Sequence, residues 1–237
     1  MQKNAVITGA GTGVGRAVAI GLAKQGWRLA LVGRTEAHLQ ETAKQAGLSS
    51  EDGMILPISV SDLGAVTAMA NQVAANFGEI ELLVNSAGTN APKRQLFEVS
   101  QEDYTRIVDT NLNGTYYTVQ AFLPKMRERK SGTIINIVSD AAIWGVPLAG
   151  AAYTVSKFGQ RGLTQAINAE ENQNGIRACA ILPGEIETPL LNLRPSAPPP
   201  ESFASMLQPE DVAECVLLAV NLPDRAVIQE LLVRPRR

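Results

Sequence analysis

A tight run of glycines between an apolar strand and an apolar helix constrains this chain more than any other feature. The stretch reads Ala5-Val6-Ile7-Thr8-Gly9-Ala10-Gly11-Thr12-Gly13-Val14-Gly15-Arg16. Ala5 to Ile7 has the character of a short buried strand. Val14, Ala17, Val18, Ile20 and Leu22 then recur at helical spacing. Strand, glycine turn and helix, in that order, make the βα unit that takes up a phosphate group. Glycine lets the backbone come close to a pyrophosphate, and the helix N-terminus offers unpaired N–H groups and a partial positive charge. Gly9, Gly13 and Gly15 follow the spacing G-x-x-x-G-x-G, which differs from the commoner G-x-G-x-x-G.

Strand and helix patterns alternate through the rest of the chain, which predicts a doubly wound α/β sheet of seven mainly parallel strands with helices on both faces. Further strands are expected at Leu29–Val32, Met54–Ile58, Leu82–Val84, Thr133–Val138, Arg177–Leu182 and Val227–Val233. Helices are expected from a Thr35 cap to about Ala46, at Leu63–Phe77 closed by Gly78, and at Ala152–Asn174 stopped by Gly175. Another should run from Pro209 to about Asn221. A long helix is expected over Gln101–Arg129, with Ser100 and Asp103 as a capping pair and a kink or break at Pro124. No linker separates a second block, so residues 1–237 read as a single nucleotide-binding domain. The proline-, serine- and leucine-rich stretch 187–208 reads as a lid.

Ligands of such sheets bind beyond the carboxyl ends of the strands. The glycine loop, Arg34, Ser59, Asn85 to Gly88, Ser139 and Pro183-Gly184 all follow expected strand ends, so they should gather along one edge. Tyr153 and Lys157 lie four apart on an expected helix and therefore share a face. A phenol is a poor base at neutral pH, and a lysine ammonium nearby favours its ionised form. In the reverse sense the phenol donates a proton to a carbonyl oxygen. Ser139, fourteen residues earlier at a strand end, can hold that oxygen by a hydrogen bond.

Taken together these motifs resemble the short-chain dehydrogenase/reductase family over essentially the whole chain. The resemblance implies a Rossmann-like fold and an NAD(P)-dependent oxidoreductase acting on CH–OH and C=O groups. It implies Ser139, Tyr153 and Lys157 as catalytic residues, with Asn111 of Asn111-Leu112-Asn113-Gly114 holding a water beside the lysine. It further implies a cofactor site from Thr8, Gly9, Gly11, Thr12, Gly13, Val14, Gly15, Asn85, Ala87 and Gly88, with Tyr153 and Lys157 contributing. Ser59-Val60 is the expected adenine contact, although the family often has Asp-Val there. Pro183, Gly184, Ile186 and Thr188 are the expected nicotinamide contacts. Ser86 stands where relatives carry asparagine, and the Ser139–Tyr153 interval is one residue longer than in many of them.

The second strand ends Val32-Gly33-Arg34-Thr35 without an acidic residue to hold a ribose hydroxyl pair. Arg34 offers a permanently charged fork suited to a 2′-phosphate. The expected cofactor is therefore NADP(H) rather than NAD(H). Trp144, Val146, Pro147, Leu148, Leu190 and Leu191 suggest an apolar substrate wall. Lys93 and Arg94 read as a solvated pair, with contact to an anionic substrate tail as the alternative. Arg234, Arg236 and Arg237 read as a solvated basic tail. The family resemblance implies a 3-oxoacyl thioester as the leading expected substrate, with small ketones, sugars, pteridines and steroids as alternatives.

Composition narrows the other classes. A net charge of −2 gives no broad basic surface for nucleic acid. The two cysteines, Cys179 and Cys215, lack metal-type spacing and fit a reduced, cytoplasmic setting. No metal site is expected. No stretch is long enough for a membrane span, and no signal peptide is expected ahead of the first strand. The single histidine, His38, sits on an expected surface helix with no assigned role. A hydrolase built on Ser139 therefore lacks a partner. A non-catalytic NADPH-binding regulator is the remaining alternative, opposed by the complete Asn111, Ser139, Tyr153 and Lys157 set. The family often forms dimers or tetramers through helices corresponding to 101–129 and 152–174.

Overall fold

The computed structural model describes residues 2–236. Seven strands form one sheet: β1 (Asn4–Thr8), β2 (Arg28–Gly33), β3 (Gly53–Pro57), β4 (Leu82–Asn85), β5 (Gly132–Ile137), β6 (Ile176–Pro183) and β7 (Glu230–Val233). Their order is β3-β2-β1-β4-β5-β6-β7, and every pairing is parallel. The chain starts in the middle, winds outward to β3, returns to β4 beside β1, and winds outward again to β7. Thr8 lies opposite Val32 on one side and Asn85 on the other, and Asn85 opposite Asn136, so these strand ends are level at one edge.

The helices are α1 (Gly13–Lys24), α2 (Glu36–Gln45), α3 (Leu63–Phe77), α4 (Gln101–Val108), α5 (Gly114–Arg129), α6 (Ala151–Glu171) and α7 (Pro209–Val220). Successive strand residues point to opposite faces. Ile7, Leu31, Val84 and Ile181 accordingly pack with Val18, Leu22, Leu39 and Val216 of α1, α2 and α7. Val6, Ala30, Leu83 and Ile134 pack with Val66, Val73, Phe122 and Ile167 of α3, α5 and α6. Burial on both faces is why the central strands read as unbroken apolar runs. Each such Leu or Ile contributes about 1.5–3 kcal/mol of burial.

Local rules hold best for α3. Its bounds are those expected, and the Asp62 side chain accepts the Ala65 N–H at 2.9 Å. Thr35 does occupy the cap position of α2, but its side chain makes no capping bond. Ser100 accepts the Asp103 N–H at 3.0 Å, while the Asp103 carboxylate turns to Arg106 at 2.6 Å instead of closing a reciprocal box.

The long helix expected over 101–129 is interrupted, but not at Pro124, which lies inside α5. The interruption is a π turn over Asp109–Asn113 between α4 and α5. Such turns insert an extra residue into a helix and often occur where a side chain must be aimed. Here the turn carries Asn111, which is fully buried.

Candidate active site

The level strand ends open onto a cavity of about 600 Å³, beside the β1–β4 boundary where the strand order reverses. Its floor at one end is the glycine loop. Gly9 and Gly13 have φ of +66° and +52°, a region side chains rarely adopt. A Cβ on Gly9 would also run into the backbone of Ser86 and Ala87. Thr8 ties the same two segments together, its hydroxyl accepting the N–H groups of Ser86 and Ala87 at 3.2 Å each. Thr12 precedes α1 without capping it by its side chain, which leaves the first-turn N–H groups to the cavity. Arg16 braces the loop from behind, donating to the Gly11 carbonyl and to Thr42 Oγ1 at 3.0 Å. Exposed Arg34, just past β2, lines the wall together with His38. His38 thus belongs to the cavity rim rather than to a featureless outer face.

The other half is built by α6 and the end of β5. Lys157, only 3% exposed, donates to the Ile137 carbonyl at 3.0 Å and to Gln160 Oε1 at 2.6 Å. Its Nζ lies 5.4 Å from the centre of the Tyr153 ring one turn earlier. Ser139 caps the short helical turn Asp140–Ala142, accepting the Ala141 N–H at 3.1 Å. Burial pushes the half-buried Tyr153 phenol up to about 12. A side-chain hydrogen bond to Ser139 opposes that rise, the Asp140 charge adds to it, and the Arg94 charge lowers it. Burial pushes Lys157 down to about 7. The protein alone therefore drives both groups toward their neutral forms.

The cavity wall includes Gly9, Gly11, Thr12, Gly13, Val14, Arg34, Ser59, Val60, Ala87, Gly88, Ser139, Tyr153, Lys157, Pro183, Gly184, Ile186 and Thr188. Thr8, Gly15, Asn85 and Asn111 stand behind it. Gly15 packs on the Gly9 carbonyl. Asn85 bolts the sheet from inside, donating to Asn136 Oδ1 at 2.9 Å and accepting from Thr118 at 2.7 Å. Asn111 accepts the Thr89 N–H at 2.8 Å and donates to the Thr89 carbonyl and the Ser156 hydroxyl. Ser59 pairs with Ser61 at 2.8 Å.

Trp144, Val146, Leu148, Leu190 and Leu191 line the outer part, as expected of an apolar wall; Pro147 does not. The 187–208 stretch is held at its neck by the Ile186–Leu207 bridge and carries short helical turns at Pro189–Leu193 and Pro200–Ser205.

One arginine departs from expectation. Arg94 is not solvated: it is 5% exposed and donates to the carbonyls of Ala91, Leu148 and Leu193. It joins the segment after β4 to both loops that cover the cavity. Charge count along the sequence could not reveal this, because all three acceptors are main-chain groups, two of them remote. Arg234 and Arg236 are exposed as expected of a solvated tail, but Arg234 also lies 3.4 Å from Asp140 and over the Trp144 ring; Arg237 lies outside the described residues. Gln160, missed in the sequence, is detectable only as the residue one helical turn past Lys157.

Comparison with known proteins agrees with this geometry. Residues 3–198 match the family model described as short chain dehydrogenase. An uncharacterized oxidoreductase of Staphylococcus aureus is 33% identical over 234 residues, covering 99% of this chain and 97% of its own. An alcohol dehydrogenase from the archaeon Thermococcus sibiricus, solved with 5-hydroxy-NADP, superposes with a TM-score of 0.86 at 28% identity, over 99% of this chain and 97% of that one. A metagenomic short-chain oxidoreductase solved with NADP gives 0.85 at 31%, with the same coverages. The chain belongs to the short-chain dehydrogenase/reductase family. It is an NAD(P)-dependent oxidoreductase with a Rossmann-like fold.

The residues present fit such a cofactor. Gly9, Gly11, Thr12, Gly13 and Val14 line the cavity at the start of α1, where no side chain caps the first-turn N–H groups. Among the described residues no cluster of metal-binding side chains occurs, and no helix is long and apolar enough to cross a membrane.

Proposed function

We propose that this protein reduces a carbonyl to a secondary alcohol with NADPH, and that Tyr153 is the proton donor. The observation that carries the reading is the convergence of Tyr153, Lys157 and Ser139 on one cavity with the glycine cradle. Thr12, Gly13 and Val14 would hold the pyrophosphate at the start of α1, and Ile186 and Thr188 would flank the nicotinamide. A bound nicotinamide would supply hydride to the carbonyl carbon. Ser139 holds the carbonyl oxygen, and Tyr153 passes its proton to that oxygen as charge develops there. A phenol pushed up to about 12 is fully protonated at neutral pH, which suits a donor. The phenolate left behind is favoured by the Lys157 ammonium and the nearby Arg94 cation.

Preference for NADPH is supported by Arg34 on the cavity wall and by the absence of an acidic side chain at the end of β2. The structural relatives solved with NADP or its hydroxylated form point the same way. A 3-oxoacyl thioester or similar ketone suits the apolar wall, with residues 187–208 as the lid of a single domain. Exposed Tyr104, Tyr116, Val155 and Phe158 on α4, α5 and α6 support assembly into a homodimer or tetramer through those helices. The test is a panel of 3-oxoacyl thioesters, ketones and sugars, followed by NADPH and NADH oxidation. The reading requires turnover of a carbonyl with NADPH favoured; a clear preference for NADH contradicts the cofactor assignment.

A further inference from the structure

Lys157 has three N–H donors and no acceptor. One goes to the Ile137 carbonyl and one, the shorter at 2.6 Å, to Gln160 Oε1. Gln160 is fully buried, and its amide nitrogen donates to Thr115 Oγ1 at 2.7 Å. The Thr115 hydroxyl in turn donates to the Asn111 main-chain carbonyl at 2.8 Å. The orientation of the Gln160 amide is forced by this chemistry. An ammonium only donates, so the oxygen must face Nζ; the Thr115 proton is committed to Asn111, so the nitrogen must face Thr115.

We propose that Gln160 is a positioning residue for the reaction: its amide oxygen holds Lys157 as an ammonium turned toward Tyr153, and its amide nitrogen is braced by Thr115 of α5, itself bonded to Asn111 of the π turn. Like the role given above to Tyr153, its effect on turnover rests on the carbonyl-reductase reading, but the effect on Lys157 does not. A buried ammonium without acceptors gives up its proton. Burial already pushes Lys157 down to about 7, and an oriented carbonyl dipole beside it favours the cation against that push. An apolar side chain at 160 would leave the Ile137 carbonyl as the sole protein acceptor of that amine.

The charged and titratable groups around the pair are few. Tyr153 faces Lys157 from α6 itself, and the charges of Asp140, after β5, and Arg94, after β4, act on that phenol. Arg161, the next turn of α6, is committed to Glu230 at 2.8 Å. The π turn and α5 contribute the neutral Asn111 and Thr115. Gln160 is therefore the nearest side chain able to favour the ammonium without titrating itself.

The test uses cofactor-free protein carrying ¹³C-labelled lysine, with the Lys157 signal assigned by its loss in Lys157→Met. Gln160→Met should lower the Lys157 titration midpoint by about one pH unit, the size of one hydrogen bond to a charged group, and Gln160→Glu should raise it. If the methionine variant does not fold, the glutamate variant alone decides by the sign of its shift. Unmoved midpoints overturn the proposal and reduce Gln160 to packing. In turnover assays Gln160→Met should lower kcat about tenfold with little change in the KM for NADPH. A normal rate in Tyr153→Phe would sink the reading of the reaction while leaving the Lys157 titration to judge Gln160 separately.

Discussion

Asn111, lifted into the interior by the π turn, donates through Nδ2 to the Ser156 hydroxyl at 3.0 Å. That bond links the α4–α5 junction to the helix bearing Tyr153 and Lys157. The same side chain pairs with both main-chain groups of Thr89. Replacing Asn111 by Leu strands a buried N–H and a buried carbonyl, at a cost of about 2–4 kcal/mol. Urea unfolding should show this as a lower midpoint at unchanged slope, and carbonyl reduction should fall with it.

Arg94 offers a second prediction. Its guanidinium ties Leu148 and Leu193, on the two loops over the cavity, to the segment after β4. Gly150 permits the contact, because a Cβ there would strike Arg94. Arg94→Ala should cost about 3 kcal/mol through unpaired carbonyls and raise the KM for substrate more than that for NADPH. Equal increases in both would argue against a role confined to the loops.

These two residues also mark where sequence reading stops. Elements ruled by neighbours along the chain, such as α3 between Asp62 and Gly78, are readable to the residue. So are the glycine loop and the Tyr153–Lys157 spacing, because strand ends in a parallel sheet share an edge. Pro124 suggested a break because a proline lacks an N–H, yet α5 runs through it. The real irregularity lies at Asp109–Asn113, where tertiary contacts of Asn111 with Thr89 and Ser156 override helical propensity. Arg94 looked solvated because its partners Leu148 and Leu193 come from distant segments.

Arg34 tests the cofactor assignment. Arg34→Glu replaces a fork for phosphate with a carboxylate that repels it and suits ribose hydroxyls. The ratio of kcat/KM for NADPH over NADH should fall about a hundredfold or more, mostly through KM for NADPH. An unchanged ratio would remove Arg34 from the phosphate site.

The depressed Lys157 predicts a pH-dependent stability. Its folded value near 7 lies below the ordinary lysine range, so between the two the unfolded chain binds more protons. Stability from this group therefore rises with pH across that window, and the penalty for burying the ammonium is greatest below it. Lys157→Met removes the penalty. The unfolding free energy of the variant, taken relative to wild type, should be nearly constant below about pH 7 and decrease from there to pH 10. A constant difference would mean that Lys157 titrates alike in the folded and unfolded chains.

The most direct measurement is the single-turnover rate of carbonyl reduction in Tyr153→Phe, beside NADPH binding followed by fluorescence. The phenol is the only proton donor assigned to the carbonyl oxygen, and general acid catalysis contributes about a hundred- to ten-thousandfold. The variant should still bind NADPH and lose about a thousandfold in rate at saturating cofactor. Full binding with an undiminished rate would contradict the assignment of Tyr153 as donor.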